Sequence, residues 1–249
     1  NDIVRILIDL KLYEVSSVTP GPNPGGGGGG GSVINPPKNN TETGKGDDGE
    51  EQGGGTETKV PVPTTTTTFS DATEHWANNY IGFMQEKNIM GGYDDGTFKP
   101  NQSITRQEVA AILVRALGLE DELGTVTETD LVDAEEIADW AVPYVLLLKE
   151  LGIFGGYEDG TFRPEVPITR EQFAVIISNA MKLPPAEDEI NFTDNGDISD
   201  WALVHVKRCV AAGIINGYDD NSFKPKNEIT RAEAAVMLYR FMYTEGYVE

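Results

Sequence analysis

One cysteine, two histidines and no long apolar run set the first limits on this chain of 249 residues. A lone thiol, Cys209, excludes an internal disulfide. With only His75 and His205 available, a histidine metal site or a catalytic triad is not expected. No stretch of about 18 apolar residues exists, so no membrane span is expected. Basic residues are scarce as well: 19 Lys and Arg face 41 Asp and Glu, a formal net charge of -22. That field disfavours nucleic acid and anionic lipid as partners. The heptaglycine Gly25–Gly31 lacks the Lys-Ser/Thr pair and the flanking strand of a phosphate-binding loop. The reading is of a protein with no catalytic centre, metal or cofactor.

What is present is unevenly spread. Residues 1–15 are apolar, carry both strand and helix periodicities, and read as the trailing edge of an upstream domain. Residues 16–68 are rich in Gly, Pro, Thr, Ser and acids, with five threonines in a row at Thr64–Thr68. Such a stretch cannot bury enough apolar surface to offset chain entropy, so it reads as a disordered linker with an r.m.s. span of about 40 Å. Folded mass is expected in residues 69–249.

That part repeats. Ile-Thr-Arg occurs at Ile104–Arg106, Ile168–Arg170 and Ile229–Arg231, each time after a Gly-Tyr-acid-Asp-(Gly/Asn)-(Thr/Ser)-Phe turn. Trp76, Trp140 and Trp201 keep the same spacings, as do Tyr93, Tyr157 and Tyr218. The copies run over about 69–118, 131–183 and 192–243. Each has an amphipathic segment after Trp-Ala, ending at Gly91-Gly92, Gly155-Gly156 or Asn216-Gly217, which suit left-handed caps. A second helix follows the turn. Thr105, Thr169 and Thr230 stand three residues before Glu108, Gln172 and Glu233, the spacing of a capping box. Apolar stripes lie behind, as in Val109, Ile112, Leu113 and Ala116. The fold class is therefore mainly α: three helix–turn–helix units with at most a very short strand in the turn. Such units cannot bury their faces alone, and spacing does not decide between a short solenoid and closure around a pseudo-threefold axis. Cys209 aligns with Met84 and Leu148 and reads as a buried apolar position.

The repeated arginine carries the chemistry. It falls at the first helical position, where the dipole disfavours a cation by roughly 0.3–1 kcal/mol. Three in register suggest a purpose: a helix N-terminus plus a guanidinium suits a carboxylate or phosphate. The competing reading pairs each arginine with an acid of the adjacent turn, Asp95, Asp159 or Asp220. The tryptophans read as core or staple residues that could also stack on a sugar face. Asp94-Asp95-Gly96 and its counterparts read as Asp-Gly turns, since the alternating acids of a calcium loop are missing.

The run Phe-Ser-Asp…His-Trp-Ala…Gly-Gly-Tyr-Asp-Asp-Gly-Thr-Phe-Lys-Pro…Ile-Thr-Arg-Gln-Glu resembles the S-layer homology motif. Three copies cover 69–249, and the third holds the signature Ile-Thr-Arg-Ala-Glu intact at 229–233. The resemblance implies a pseudo-trimer with a central three-helix bundle and grooves between repeats. It implies an exported, cell-surface protein held non-covalently to the bacterial wall through an anionic, often pyruvylated, secondary polymer attached to peptidoglycan. The glycan-binding residues it implies are Arg106, Arg170 and Arg231, gripping the acidic substituent, with Trp76, Trp140, Trp201, Gly92, Gly156 and Gly217. Arg→Ala at two or three of these arginines is expected to abolish wall binding while the helices stay folded. Departures occur at Gln172, which replaces the signature Glu, at Asn221-Ser222 in the third turn, and at the insertion Glu135-Glu136-Ile137, so unequal grooves are expected. The alternatives are lateral self-association in a surface lattice, and the anchor of a secreted polysaccharide-degrading enzyme.

Overall fold

The computed structural model describes residues 60–244 and Gly246. The expected domain remnant, 1–15, and most of the expected linker, 16–59, lie outside the described residues. Among the described residues there are six α-helices: α1 Asn78–Glu86, α2 Arg106–Ala116, α3 Val142–Glu150, α4 Arg170–Met181, α5 Asp200–Ala211 and α6 Arg231–Thr244. They form three pairs. The second helix of each pair starts at a complete capping box, in which the Thr105, Thr169 or Thr230 hydroxyl accepts from the backbone N–H of Glu108, Gln172 or Glu233. The third-residue side chain accepts in return from the threonine N–H. Gln172 completes its box as Glu does.

The first helix of each pair ends earlier than the double-glycine signal suggested. Its left-handed residue is Asn88, Gly152 or Gly213, at φ 56°, 67° and 71°. The N–H of the next residue, Ile89, Ile153 or Ile214, then bonds back to the carbonyl of Met84, Leu148 or Cys209. That bond closes the end only when an apolar residue follows the cap and turns inward, and all three isoleucines are buried. The Gly91-Gly92 type of pair belongs to the following turn. The insertion before Trp140 also proves not to be peculiar to repeat two. Short 3₁₀ turns occupy both Ala134–Glu136 and Asn195–Asp197, so repeats two and three share it and repeat one is the short copy.

The pairs close into a ring. Outer helix α3 packs on α2, α5 on α4, and α1 on α6, so each repeat lays its outer helix on the preceding repeat's inner helix and the first docks on the last. The inner helices α2, α4 and α6 are buried over most of their length and form the central bundle. At its end the Ile-Thr-Arg segments interlock. Ile104 N–H donates to Ile229, Ile229 to Ile168 and Ile168 to Ile104, at 3.1, 2.9 and 3.1 Å. In place of the short strand expected within the turn, single bridges join neighbouring repeats, such as Thr105 with Pro167.

Residues 60–68, assigned by composition to the linker, lie along α1. Asn79 donates to the Pro63 carbonyl at 2.7 Å, the Thr67 hydroxyl donates to Gln85 at 3.0 Å, and Gln85 donates to the Thr68 hydroxyl at 2.9 Å. Gly82 makes the crossing fit: a Cβ there would lie 2.7 Å from the Thr67 nitrogen. The segment is thus a strap, held along the helix by threonine and amide hydrogen bonds together with the buried Pro63 and the core-packed Val60.

Candidate functional site

Ring closure sets the inner helix start of one repeat against the turn of the next. The turn is closed by Tyr93 N–H to Thr97 O, with Tyr157 to Thr161 and Tyr218 to Ser222 in the other copies, at 2.7–2.8 Å. Its tightest residue is left-handed: Gly96 and Gly160 at φ 78° and 80°, and Asn221 at 57°. Asn is one of the few other residues that tolerates this region, so the third turn keeps its shape. Asp71, Asp133 and Asp194 clamp the turn's exit. Each carboxylate accepts two consecutive backbone N–H bonds, those of Phe98 and Lys99, Phe162 and Arg163, or Phe223 and Lys224.

The signature arginines lie beneath this turn, in the seam. Their exposures are 0% for Arg106, 5% for Arg170 and 6% for Arg231. Arg106 Nε donates to Phe162 O at 2.6 Å and its Nη2 to Gly155 O at 3.0 Å. Arg231 repeats this on Phe98 O and Gly91 O, and Arg170 Nε donates to Phe223 O. Every one of these partners belongs to the following repeat. Tyrosine and phenylalanine rings surround each guanidinium, with Tyr157 4.6 Å from Arg106, Tyr218 4.5 Å from Arg170 and Tyr93 5.0 Å from Arg231. The helix-start amides are also taken. Arg106 N–H reaches Val166 O and Gln107 N–H reaches Pro164 O, and the other two seams do the same. A free amide nest for an anion at these helix starts is therefore absent, contrary to the reading from spacing.

The pairing of the arginines with Asp95, Asp159 and Asp220 is also corrected. Those acids accept from Thr97, Thr161 and Ser222 and pair with Lys99, Arg163 and Lys224. The hydroxyl and amide of Thr161, with the Arg163 guanidinium, lower the Asp159 pKa to about 2. The carboxylate opposite a signature arginine is the capping-box glutamate of the next repeat: Glu233 at 3.3 Å from Arg170, and Glu108 at 3.5 Å from Arg231. Arg106 faces Gln172's repeat and has no such partner. Its Nη1 is buried without a hydrogen bond, and burial lowers its pKa to about 10.

The other expected residues fall around the seam. Gly92, Gly156 and Gly217 have packing reasons for lacking a side chain, since a Cβ would crowd the carbonyl of Thr97, Thr161 or Ser222. Trp76 and Trp201 are half-buried against the core, whereas Trp140 is 50% exposed. None of the three takes part in the arginine–tyrosine contacts. Sequence reasoning passed over Lys99, Arg163 and Lys224, which stack on the same tyrosines at 3.9, 4.1 and 4.2 Å. The signal was a basic residue in every Phe-(Lys/Arg)-Pro. Cys209 is buried, its thiol pushed up to about 12 by desolvation, and it occupies an ordinary core position.

Three segments of the chain, 68–110, 131–174 and 191–235, match the family model described as S-layer homology domain. Among curated relatives, a cellulosome-anchoring protein of Acetivibrio thermocellus is 38% identical over 61% of this chain and 35% of its own length. An amylopullulanase of Thermoanaerobacterium thermosulfurigenes is 33% identical over 73% of the chain and 10% of its own length. An S-layer protein of Bacillus thuringiensis subsp. finitimus is 27% identical over 70% of the chain and 21% of its own length. The chain thus spans about a third or less of these relatives.

Proposed function

Because the chain belongs to the S-layer homology domain family, we propose that it anchors an exported protein non-covalently to the bacterial cell wall by binding an anionic secondary wall polymer in the seams between its repeats. S-layer homology domains anchor surface proteins, and the chain works at the cell surface. Among the described residues no helix is long and apolar enough to cross a membrane. The family's role is attachment, and catalysis in its members lies in other domains.

The observation that carries the polymer reading is the threefold recurrence of one seam. A chain of net charge -22 places six of its 19 basic residues at these seams, two on each repeated tyrosine. Scattered surface charge has no reason to do this. An anionic polymer with regularly spaced substituents does supply one. Three modest sites on one rigid ring raise the effective concentration for rebinding along the same strand. The signature arginines hold the turns in place from below, and the tryptophans at the outer helix starts offer faces for sugar rings.

The test is retention of the full chain on purified sacculi, either untreated or stripped of secondary polymer with hydrofluoric acid. Anchoring through the polymer predicts retention on untreated sacculi alone. Equal retention on both would make peptidoglycan itself the receptor. Absence of retention on either, with self-association in solution, would favour the lattice role that the S-layer relatives suggest.

A further inference from the structure

The three seams are alike in backbone and unlike in charge. Lys99, Arg163 and Lys224 sit at φ 55°, 58° and 55°, a region that costs any L side chain strain. The Asp71, Asp133 and Asp194 clamps enforce it through the backbone N–H bonds described above. Each of these residues is thereby fixed over its tyrosine with its charge toward solvent, 39%, 38% and 18% exposed.

Each tyrosine therefore has two cations against it, one buried and one outward. In the seam of repeats three and one, Arg231 and Lys99 are matched by Glu108 and Asp95. In the seam of repeats two and three, Arg170 and Lys224 are matched by Glu233 and Asp220. In the seam of repeats one and two, the only ion pair of Arg106 or Arg163 among the described residues is Arg163 with Asp159, because Gln172 stands where the others have Glu. Glu165 accepts from Gln107, and Asp133, which holds this turn as Asp71 and Asp194 hold the others, acts on Arg106 without an ion pair. Two cations thus share one ion-pair partner here, where each counterpart seam has two. Hydrogen bonding points the same way. The Tyr93 and Tyr218 hydroxyls donate to glutamate, whereas Tyr157 accepts from Gln172 Nε2 at 3.5 Å and keeps its own proton to give. Arg106 Nη1 has no acceptor at all.

We propose that the seam between repeats one and two is the principal anion site of the chain, with Arg163 meeting a carboxylate or phosphate substituent of a saccharide from the solvent side and Gln172 setting this seam apart. Arg106, fully buried, is a positioning residue whose unmatched charge acts through Tyr157. The half-exposed Asp159 is the latch: a ligand anion takes over its guanidinium, and the carboxylate keeps Thr161 and water as partners at little cost. The assignment rests on the wall-polymer reading above.

The test measures depletion of the full chain by sacculi left untreated, warmed in mild acid to hydrolyse ketals, or stripped with hydrofluoric acid. Arg163→Gln removes the charge while keeping an unbranched polar side chain and the backbone cost, and is expected to weaken binding about tenfold, the loss of one charge-assisted hydrogen bond. Lys99→Gln and Lys224→Gln are expected to weaken it less than about threefold, because in their seams each cation already has its own carboxylate. Gln172→Glu gives Arg106 its carboxylate. It is expected to weaken binding about as much as Arg163→Gln while raising Tm, a split that a purely structural role would not produce. Loss of binding after mild acid identifies a ketal carboxylate as the anion, and loss only after hydrofluoric acid, which removes the whole polymer, identifies an anion on it that mild acid leaves in place. If the unaltered chain is retained and both Arg163→Gln and Gln172→Glu bind as it does, the assignment is overturned while anchoring stands. If the unaltered chain is not retained on untreated sacculi, the anchoring reading itself fails and the assignment with it.

Discussion

Arg170 shows most clearly what a signature arginine does within the protein. It is 6% exposed at its side chain, sits in an aromatic cage and faces Glu233, itself only 9% exposed. Removing one member of a buried ion pair leaves the other charge desolvated, which costs about 3–5 kcal/mol. Arg170→Met is therefore expected to destabilise the protein by about that amount. Arg231→Met should cost less, because Glu108 is 22% exposed and water screens it. Arg106→Met should be mildest, about 1–3 kcal/mol, since it strands two carbonyls and no carboxylate. Urea denaturation midpoints check the order, and three equal shifts would contradict it. The simple expectation that Arg→Ala abolishes binding with the helices intact is thus incomplete. Binding by such variants has to be read beside their stability.

At the scale of elements, helix starts were more legible than helix ends. A Thr three residues before Glu or Gln states a local hydrogen-bond pair, and all three boxes formed where the pattern put them. Helix ends offered competing signals. The visible Gly-Gly pairs outweighed a single Asn or Gly followed by isoleucine, although the buried isoleucine is what closes the last turn. The strap was hidden for a related reason: composition measures apolar burial, and Thr65, Thr67 and Thr68 are held by hydroxyl and amide bonds instead. One sequence clue existed. Only the repeat that follows the strap has glycine at position 82, where the others have Leu146 and Lys207. Gly82→Val is expected to lift residues 60–68 off α1, speed their cleavage in limited proteolysis and cost about 1–3 kcal/mol, while α1 stays helical. Unchanged cleavage would show that the strap does not need the glycine.

At the largest scale the described residues form a closed ring, and spacing alone could not say so. Three equal units stack or close according to whether the first face fits the last. Here the fit is aromatic: Tyr239 of α6 meets Phe83 and Tyr80 of α1 edge-on at 4.9 and 5.4 Å. The candidate site was half legible. Recurrence identified the arginines and counted the seams, but depth comes only from closure, which buries those arginines and leaves Lys99, Arg163 and Lys224 outside. The central claim, that wall polymer meets the protein in the seams, is tested most directly by amide hydrogen exchange with and without purified secondary wall polymer. The account predicts new protection in the turns 91–99, 155–163 and 216–224, greatest in 155–163, and none on the outer faces of α1, α3 and α5. Protection confined to those outer faces, or absent from all three turns while the polymer is bound, would contradict it.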